Sequence, residues 1–178
     1  MHFSNVLAAS LAIFPAVFAQ SNVPATSPIY LNGFYTITSV GDNTILALES
    51  GDGVFSLTEP ATKNSTWYIN SGPSGHAFIA NARRGGVLTG VKPRDDSNPF
   101  NSQVQVQDVA TDDQGRRRQA WALIRFDDGT YEIKNEQFDQ LLDIRGGVGQ
   151  GPEVILWTRN QPPSGNQRWN INLFSLTT

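Results

Sequence analysis

No cysteine occurs among the 178 residues, and histidine occurs only twice. The first absence excludes disulfide scaffolds, thiolate metal sites and cysteine nucleophiles. The second leaves little room for a histidine metal cluster or a histidine general base, since one of the two is His2. Charge is also scarce. Asp, Glu, Lys and Arg make up 16% of the chain, against about a quarter in an ordinary soluble domain. The net charge of −3 lacks the basic excess that phosphate binding needs, which argues against a nucleic-acid partner. No apolar run beyond residue 19 is long enough to span a membrane. What is present is a 39% apolar and 10% aromatic content, enough for a core, punctuated by 16 Gly and 10 Pro.

The one long apolar run, Val6 to Ala19, is too short for a bilayer-spanning helix. It lies at the N-terminus and ends in Val17-Phe18-Ala19, with small residues where signal peptidase requires them. Residues 1–19 are therefore expected to be a signal peptide, although the first five carry no Lys or Arg. The cleaved chain is then secreted and extracellular. Residues 20–32 are polar and contain Pro24 and Pro28, and read as a flexible leader. In a secreted chain Asn64-Ser65-Thr66 is an N-glycosylation sequon.

After residue 32 the apolar pattern is one of short alternating runs. Phe34–Ile37, Val104–Gln107, Tyr131–Ile133 and Val154–Trp157 suit strands bounded by Gly, Asn, Asp or Pro. No stretch holds apolar residues at helical spacing, so the class is all-β. An internal repeat is visible three times. Gly33, Gly75 and Gly129 each open a strand-like segment. The apolar pairs Ile45-Leu46, Val87-Leu88 and Leu141-Leu142 follow. Each copy closes on a Trp two residues before an aliphatic: Trp67, Trp121 and Trp169. The repeats span approximately 33–74, 75–128 and 129–174. Three four-strand units, each too small to bury its own face, are expected to close around a pseudo-threefold axis with these three Trp inside.

Two of the closing segments read Gln119-Ala120-Trp121 and Gln167-Arg168-Trp169, and the first repeat has Ser65-Thr66-Trp67. One Gln-x-Trp per repeat resembles the signature of the ricin-B-type β-trefoil lectins (carbohydrate-binding module family 13), here of a cysteine-free, fungal-like type. The resemblance covers Gly33 to about Phe174. It implies a β-trefoil and a non-catalytic, carbohydrate-binding function. It also implies site residues in the third repeat. Asp143 accepts hydrogen bonds from two adjacent sugar hydroxyls, and Trp157 forms the floor under the sugar. Asn166 donates to a hydroxyl, Gln167 steadies the Asp, and Gly146 with Gly147 lets backbone approach the ligand. Ile155 departs from the polar residue many members carry there. The chemistry stands without the family. A carboxylate takes two hydroxyl donors, an indole presents flat apolar area, and an amide supplies the opposite polarity. Galactose or N-acetylgalactosamine as the preferred sugar is implied by the resemblance alone.

The first repeat places Ala47 where the third has Asp143. The second places Thr89 there, and Gln107 where the third has Trp157. One competent site is expected, of roughly 0.1–10 mM affinity for a single sugar, so that avidity would call for a homo-oligomer or an extended glycan. No cofactor and no metal site is expected. The carboxylate pairs Asp95-Asp96, Asp112-Asp113 and Asp127-Asp128 carry no catalytic geometry, and Asp127-Asp128-Gly129 reads as a hairpin turn. Arg116-Arg117-Arg118 lies in the polar stretch Ala110–Gln119, read as a solvated loop. A rival reading comes from a resemblance to the mycocypins, cysteine-free β-trefoil inhibitors of cysteine proteases. It would place inhibitory loops at Lys92–Ser102 or Ala110–Arg118, and a third reading is a secreted effector that acts through such surface loops.

Overall fold

The computed structural model describes residues 30–49, 51–72, 75–91, 102–147 and 153–174. The expected signal peptide, most of the leader and nearly all of the Lys92–Ser102 insertion lie outside them. The first repeat forms β1 (Asn32–Ser39), β2 (Ile45–Leu48), β3 (Val54–Leu57) and β4 (Trp67–Ser71). The second forms β5 (His76–Asn81), β6 (Val87–Val91), β7 (Ser102–Gln107), a short helix α1 (Asp113–Arg118) and β8 (Trp121–Arg125). The third forms β9 (Tyr131–Asn135), β10 (Leu141–Ile144), β11 (Val154–Trp157), a 3-10 turn at Gly165–Gln167 and β12 (Trp169–Leu173).

The antiparallel pairings β1–β4, β4–β5, β5–β8, β8–β9, β9–β12 and β12–β1 close a ring. Closure leaves the ring no free edge. The hairpins β2–β3, β6–β7 and β10–β11 cap one end. They meet through β7–β11 pairing and the bridges Gly53–Gln105 and Phe55–Glu153. This is the all-β trefoil that the repeat predicts.

The same atoms meet three times. Trp67, Trp121 and Trp169 are fully buried, and their indole N–H groups donate to the carbonyls of Leu46 (2.9 Å), Leu88 (2.9 Å) and Leu142 (3.1 Å). A buried indole therefore contributes its apolar area, roughly 2–3 kcal/mol, without leaving its one donor unpaired. Ile37, Ile79 and Ile133 pack into the same core. The turns leaving β1, β5 and β9 repeat as well. The amides of Ser39, Asn81 and Asn135 donate to Thr44, Gly86 and Gln140, each at 2.8 Å.

The stretch read as a solvated loop differs. Asp113–Arg118 is helical, with the Asp112 carboxylate accepting from Gly115 N at 2.8 Å as its N-cap. Asp113 in the first turn and three arginines in the last complement the helix dipole. Gly115 is required by packing. A Cβ there would stand 2.5 Å from Ala110 Cβ and 2.9 Å from Asp112 Oδ2. The Asp127–Gly129 turn is as expected. Thr130 N donates to Asp128 Oδ1 at 3.0 Å, and Gly129 has φ +84°. Asp128 also anchors Arg168, whose Nη2 donates to Oδ2 at 2.9 Å while its guanidinium lies 3.6 Å from the Phe126 ring centroid. The described carboxylate pairs thus cap and brace the scaffold, and Asp95-Asp96 lies outside the described residues.

Candidate functional site

Strand alternation decides which side chains can meet outside the core. On β10 and β11 the residues Leu142, Ile144, Val154 and Leu156 point into the core. Their neighbours in sequence must face the other way. Asp143 pairs with Ile155 across the ladder, and Trp157 pairs with Leu141. Asp143, Ile155 and Trp157 therefore share the outer face of one hairpin. Arg145, the next residue of that face, sits at the hairpin's base, where its Nη2 lies 3.2 Å from Glu153 Oε2.

The 3-10 turn supplies the opposite wall. Asn166 Nδ2 donates to Asp143 Oδ1 at 3.1 Å and to the Ile144 carbonyl at 3.4 Å. Gly165 fixes this turn against the first repeat. Its carbonyl accepts from Gly41 N at 3.2 Å, and a Cβ on it would stand 2.6 Å from Gly41 Cα. Gln167 is buried and staples the preceding loop. Its Oε1 accepts from Asn160 N and its Nε2 donates to the Thr158 carbonyl, both at 2.8 Å. Gly146 (φ +73°) and Gly147 (φ +93°) turn the chain at the far end, in a region a side chain would strain.

Between these walls lies an open cavity of about 380 Å³ lined by Asp143, Arg145, Gly146, Gly147, Ile155, Trp157, Asn160 and Asn166. Asp143 is 4% exposed, and its Oδ2 is buried without a hydrogen-bond partner. Such an acceptor is costly to leave unmade. Burial is the largest influence on this carboxyl and raises its pKa from 3.8 to about 6, against the opposing pull of the Gln167 and Asn166 amides. Trp157 is half-buried and adds its indole to the cavity wall. Asp143 makes no turn with its own backbone, and Trp157 is not a fourth core Trp.

The structure thus brings Asp143, Gly146, Trp157 and Asn166 to one cavity and places Gln167 directly behind it. Arg145, Asn160 and Gly165 were not singled out from the sequence. Period-two alternation from Asp143 would have found Arg145. The roles of Asn160 and Gly165 depend on contacts across the chain that no local pattern signals.

The other repeats lack this chemistry. In the second, Thr89 stands in the Asp143 position. Its hydroxyl donates to the Val87 carbonyl at 2.8 Å and accepts from Gln119 Nε2 at 3.1 Å. Its polar group is satisfied within the protein. In the first, Ala47 and Leu57 occupy the Asp143 and Trp157 positions and leave a void of about 70 Å³. Of the two loops in the inhibitor reading, Ala110–Arg118 is largely taken up by α1 and its cap, and Lys92–Ser102 lies almost wholly outside the described residues. Among the described residues no helix is long and apolar enough to cross a membrane.

Comparison with known proteins gives no match among curated sequences. Solved structures do match. The designed threefold-symmetric protein ThreeFoil superposes with a TM-score of 0.69 at 19% identity, over 80% of this chain and 100% of that one. The Macrolepiota procera ricin B-like lectin, solved with lactose, gives 0.64 at 18% identity, over 83% and 100%. The Polyporus squamosus lectin, bound to the epitope Neu5Aca2-6Galb1-4GlcNAc, gives 0.60 at 20% identity, over 79% of this chain and 48% of that one. Two larger proteins are matched over less than a third of their own length. These likenesses show the fold. The model of the ricin-type beta-trefoil lectin domain-like family matches residues 63–157, more than half of the sequence. With its threefold ring, its three buried Trp and that match, the chain belongs to the ricin-type β-trefoil lectin family.

Proposed function

We propose that the protein is a secreted, non-catalytic lectin that binds a galactose- or N-acetylgalactosamine-type glycan through the third repeat. The observation that carries this reading is the Asp143 carboxyl, fixed by Asn166, lining the same open cavity as the Trp157 indole. Sugar hydroxyls are the donors that a carboxylate at this wall can accept. A carboxylate accepts from two of them in charge-assisted bonds, and the indole covers the C–H face that the hydroxyls leave. Asn166 holds Oδ1 at 3.1 Å and so fixes the carboxyl at the wall of the cavity. Ile155, only 4% exposed, keeps the floor apolar, so a polar substituent aimed at it loses its hydration unrepaid. The lactose in the Macrolepiota procera lectin supports a galactoside as the first ligand to try.

The test is retention on immobilised galactose. Wild type is retarded, and Asp143→Ala and Trp157→Ala each elute in the void with unchanged circular dichroism. Unchanged retention in both variants refutes the site. A wild type that ignores every sugar on a glycan array but inhibits a papain-like protease overturns the function.

A further inference from the structure

Asn64 stands in the first repeat where Asn166 stands in the third, three residues before the buried Trp in each case. Its surroundings are those of an attachment point. The backbone is pinned, because the Asn64 carbonyl accepts from Leu48 N at 2.9 Å and from Asn81 Nδ2 at 2.8 Å. The side-chain amide is oriented, because Oδ1 accepts from Arg83 Nη1 at 2.9 Å. That bond engages Oδ1 and leaves Nδ2, the atom an N-glycan uses, out of the contact. Beside it opens a cavity of about 500 Å³ lined by Leu48, Glu49, Gly51, Asn64, Arg83 and Arg84. That volume is within the range of small-molecule sites. Its walls carry both signs of charge, and Arg84 is held in place by Asp52 across the β2–β3 hairpin.

We propose that Asn64 carries an N-linked glycan whose first sugar residues lie in this cavity, held by Arg83, Arg84 and Glu49. This rests on the secretory reading of residues 1–19, which brings the chain to the glycosylation machinery. The donor is an oligosaccharide on a polyprenyl diphosphate. Asn64 Nδ2 bonds to C1 of the first sugar, the C1–O bond to the diphosphate breaks, and the amide gives up one proton as the diphosphate leaves. Transfer precedes folding, so the folded-state bond from Thr66 Oγ1 to the Thr62 carbonyl, 2.7 Å, does not obstruct the sequon. The glycosylated amide keeps its carbonyl, so the Arg83 hydrogen bond persists and steers the sugar. The first repeat then carries a glycan covalently, where the third repeat binds one reversibly.

The experiment is secretion of the full chain from yeast, with a second version carrying an unrelated secretion signal ahead of Gln20. Failure of the first version alone condemns the leader and leaves the Asn64 question to the second. Peptide mass spectrometry after N-glycosidase F is expected to convert Asn64 to Asp in secreted protein. Endoglycosidase H is expected to trim the native protein several-fold more slowly than the urea-unfolded one. Arg83→Ala with Arg84→Ala is expected to remove that protection without reducing occupancy. An unmodified Asn64 in secreted protein overturns the proposal. Equal trimming of native and unfolded chains overturns the packed glycan.

Discussion

Asp143→Asn is the change that separates binding from folding. At neutral pH the wild-type carboxyl is ionised although it is nearly excluded from water and one oxygen has no donor. Its pKa, raised from 3.8 to about 6 mainly by burial, means that the folded state holds the proton more tightly than the unfolded chain does. This contribution to stability is therefore full below the unfolded value and is lost as pH rises through about 6. At pH 7 the loss is about 3 kcal/mol, at ~1.4 kcal/mol per unit. Asparagine keeps the shape and removes the charge. Its carbonyl continues to accept from Asn166, while its amide nitrogen becomes an unpaired donor in place of Oδ2, returning about 1–2 kcal/mol of the gain. The net expectation is a variant about 1–2 kcal/mol more stable at pH 7 that no longer binds sugar. For a domain of this size that raises Tm by about 2–8 °C. Urea unfolding of both proteins at pH 7.5, 5.5 and 4 reads the effect. The advantage shrinks as pH falls, vanishes near pH 5, and near pH 4, where the folded wild type is protonated, gives way to a deficit of about 1 kcal/mol from the unpaired amide. A variant less stable than wild type at pH 7.5, or an advantage that persists unchanged at pH 4, refutes the buried, unpaired charge.

Three further outcomes follow from the same contacts. Galactoside affinity of the wild type drops about tenfold between pH 7 and pH 5, as a carboxyl titrating near 6 goes from about nine-tenths to one-tenth ionised; a flat calorimetric profile over that range contradicts Asp143 as the acceptor. Gly165→Ala drives a Cβ into the Gly41 backbone and costs about 1–3 kcal/mol by overpacking. Because it displaces Asn166, it also weakens sugar binding, measurable as a lower urea midpoint together with earlier elution from galactose. Arg168→Met keeps contact with Phe126 but strands Asp128 and Thr130. Asp128 is partly exposed, so the loss is about 1–3 kcal/mol, below the full value for a buried pair. Burial alone would raise the Asp128 carboxyl, but the Thr130 hydroxyl and N–H and the Arg168 charge outweigh it and hold its pKa below 3.8. The wild-type advantage over Arg168→Met therefore fades as acid titrates Asp128 below that value, and an advantage independent of pH would rule the ion pair out.

Repetition made the frame legible. The three Trp, the three opening Gly and the apolar pairs recur in register, so one physical solution was stated three times in the sequence. Helix α1 was stated once and against its own pattern. It has no apolar stripe, and Gly115 within it reads as a breaker. The signals that did favour it were local: an Asp cap, an acid in the first turn and bases in the last. Its glycine is explained only by the Ala110 and Asp112 atoms that crowd it in the folded chain. The site falls between these cases. Asp143 and Trp157 were readable because the pair stands out against Ala47 in one repeat and Thr89 and Gln107 in another. Asn160 was not, because its place depends on a loop closed by Gln167 from seven residues away.

The distinction between frame and site also changes what the Gln-x-Trp motif means. Gln119 and Gln167 do the same work. Each accepts from the backbone of the loop before it, at Ala110 and Asn160, and each donates to a carbonyl of that loop, at Asp108 and Thr158. The Trp two residues later then buries itself against a Leu carbonyl in the same repeat. Both residues of the motif serve the scaffold. The second repeat has the whole motif, yet Thr89 in the Asp143 position is satisfied within the protein and offers no unpaired acceptor. On the proposed reading, sugar binding is decided at the two outward positions of the capping hairpin, 143 and 157. There the threefold symmetry is broken, and there the protein tolerates a buried acceptor that its own groups leave unpaired.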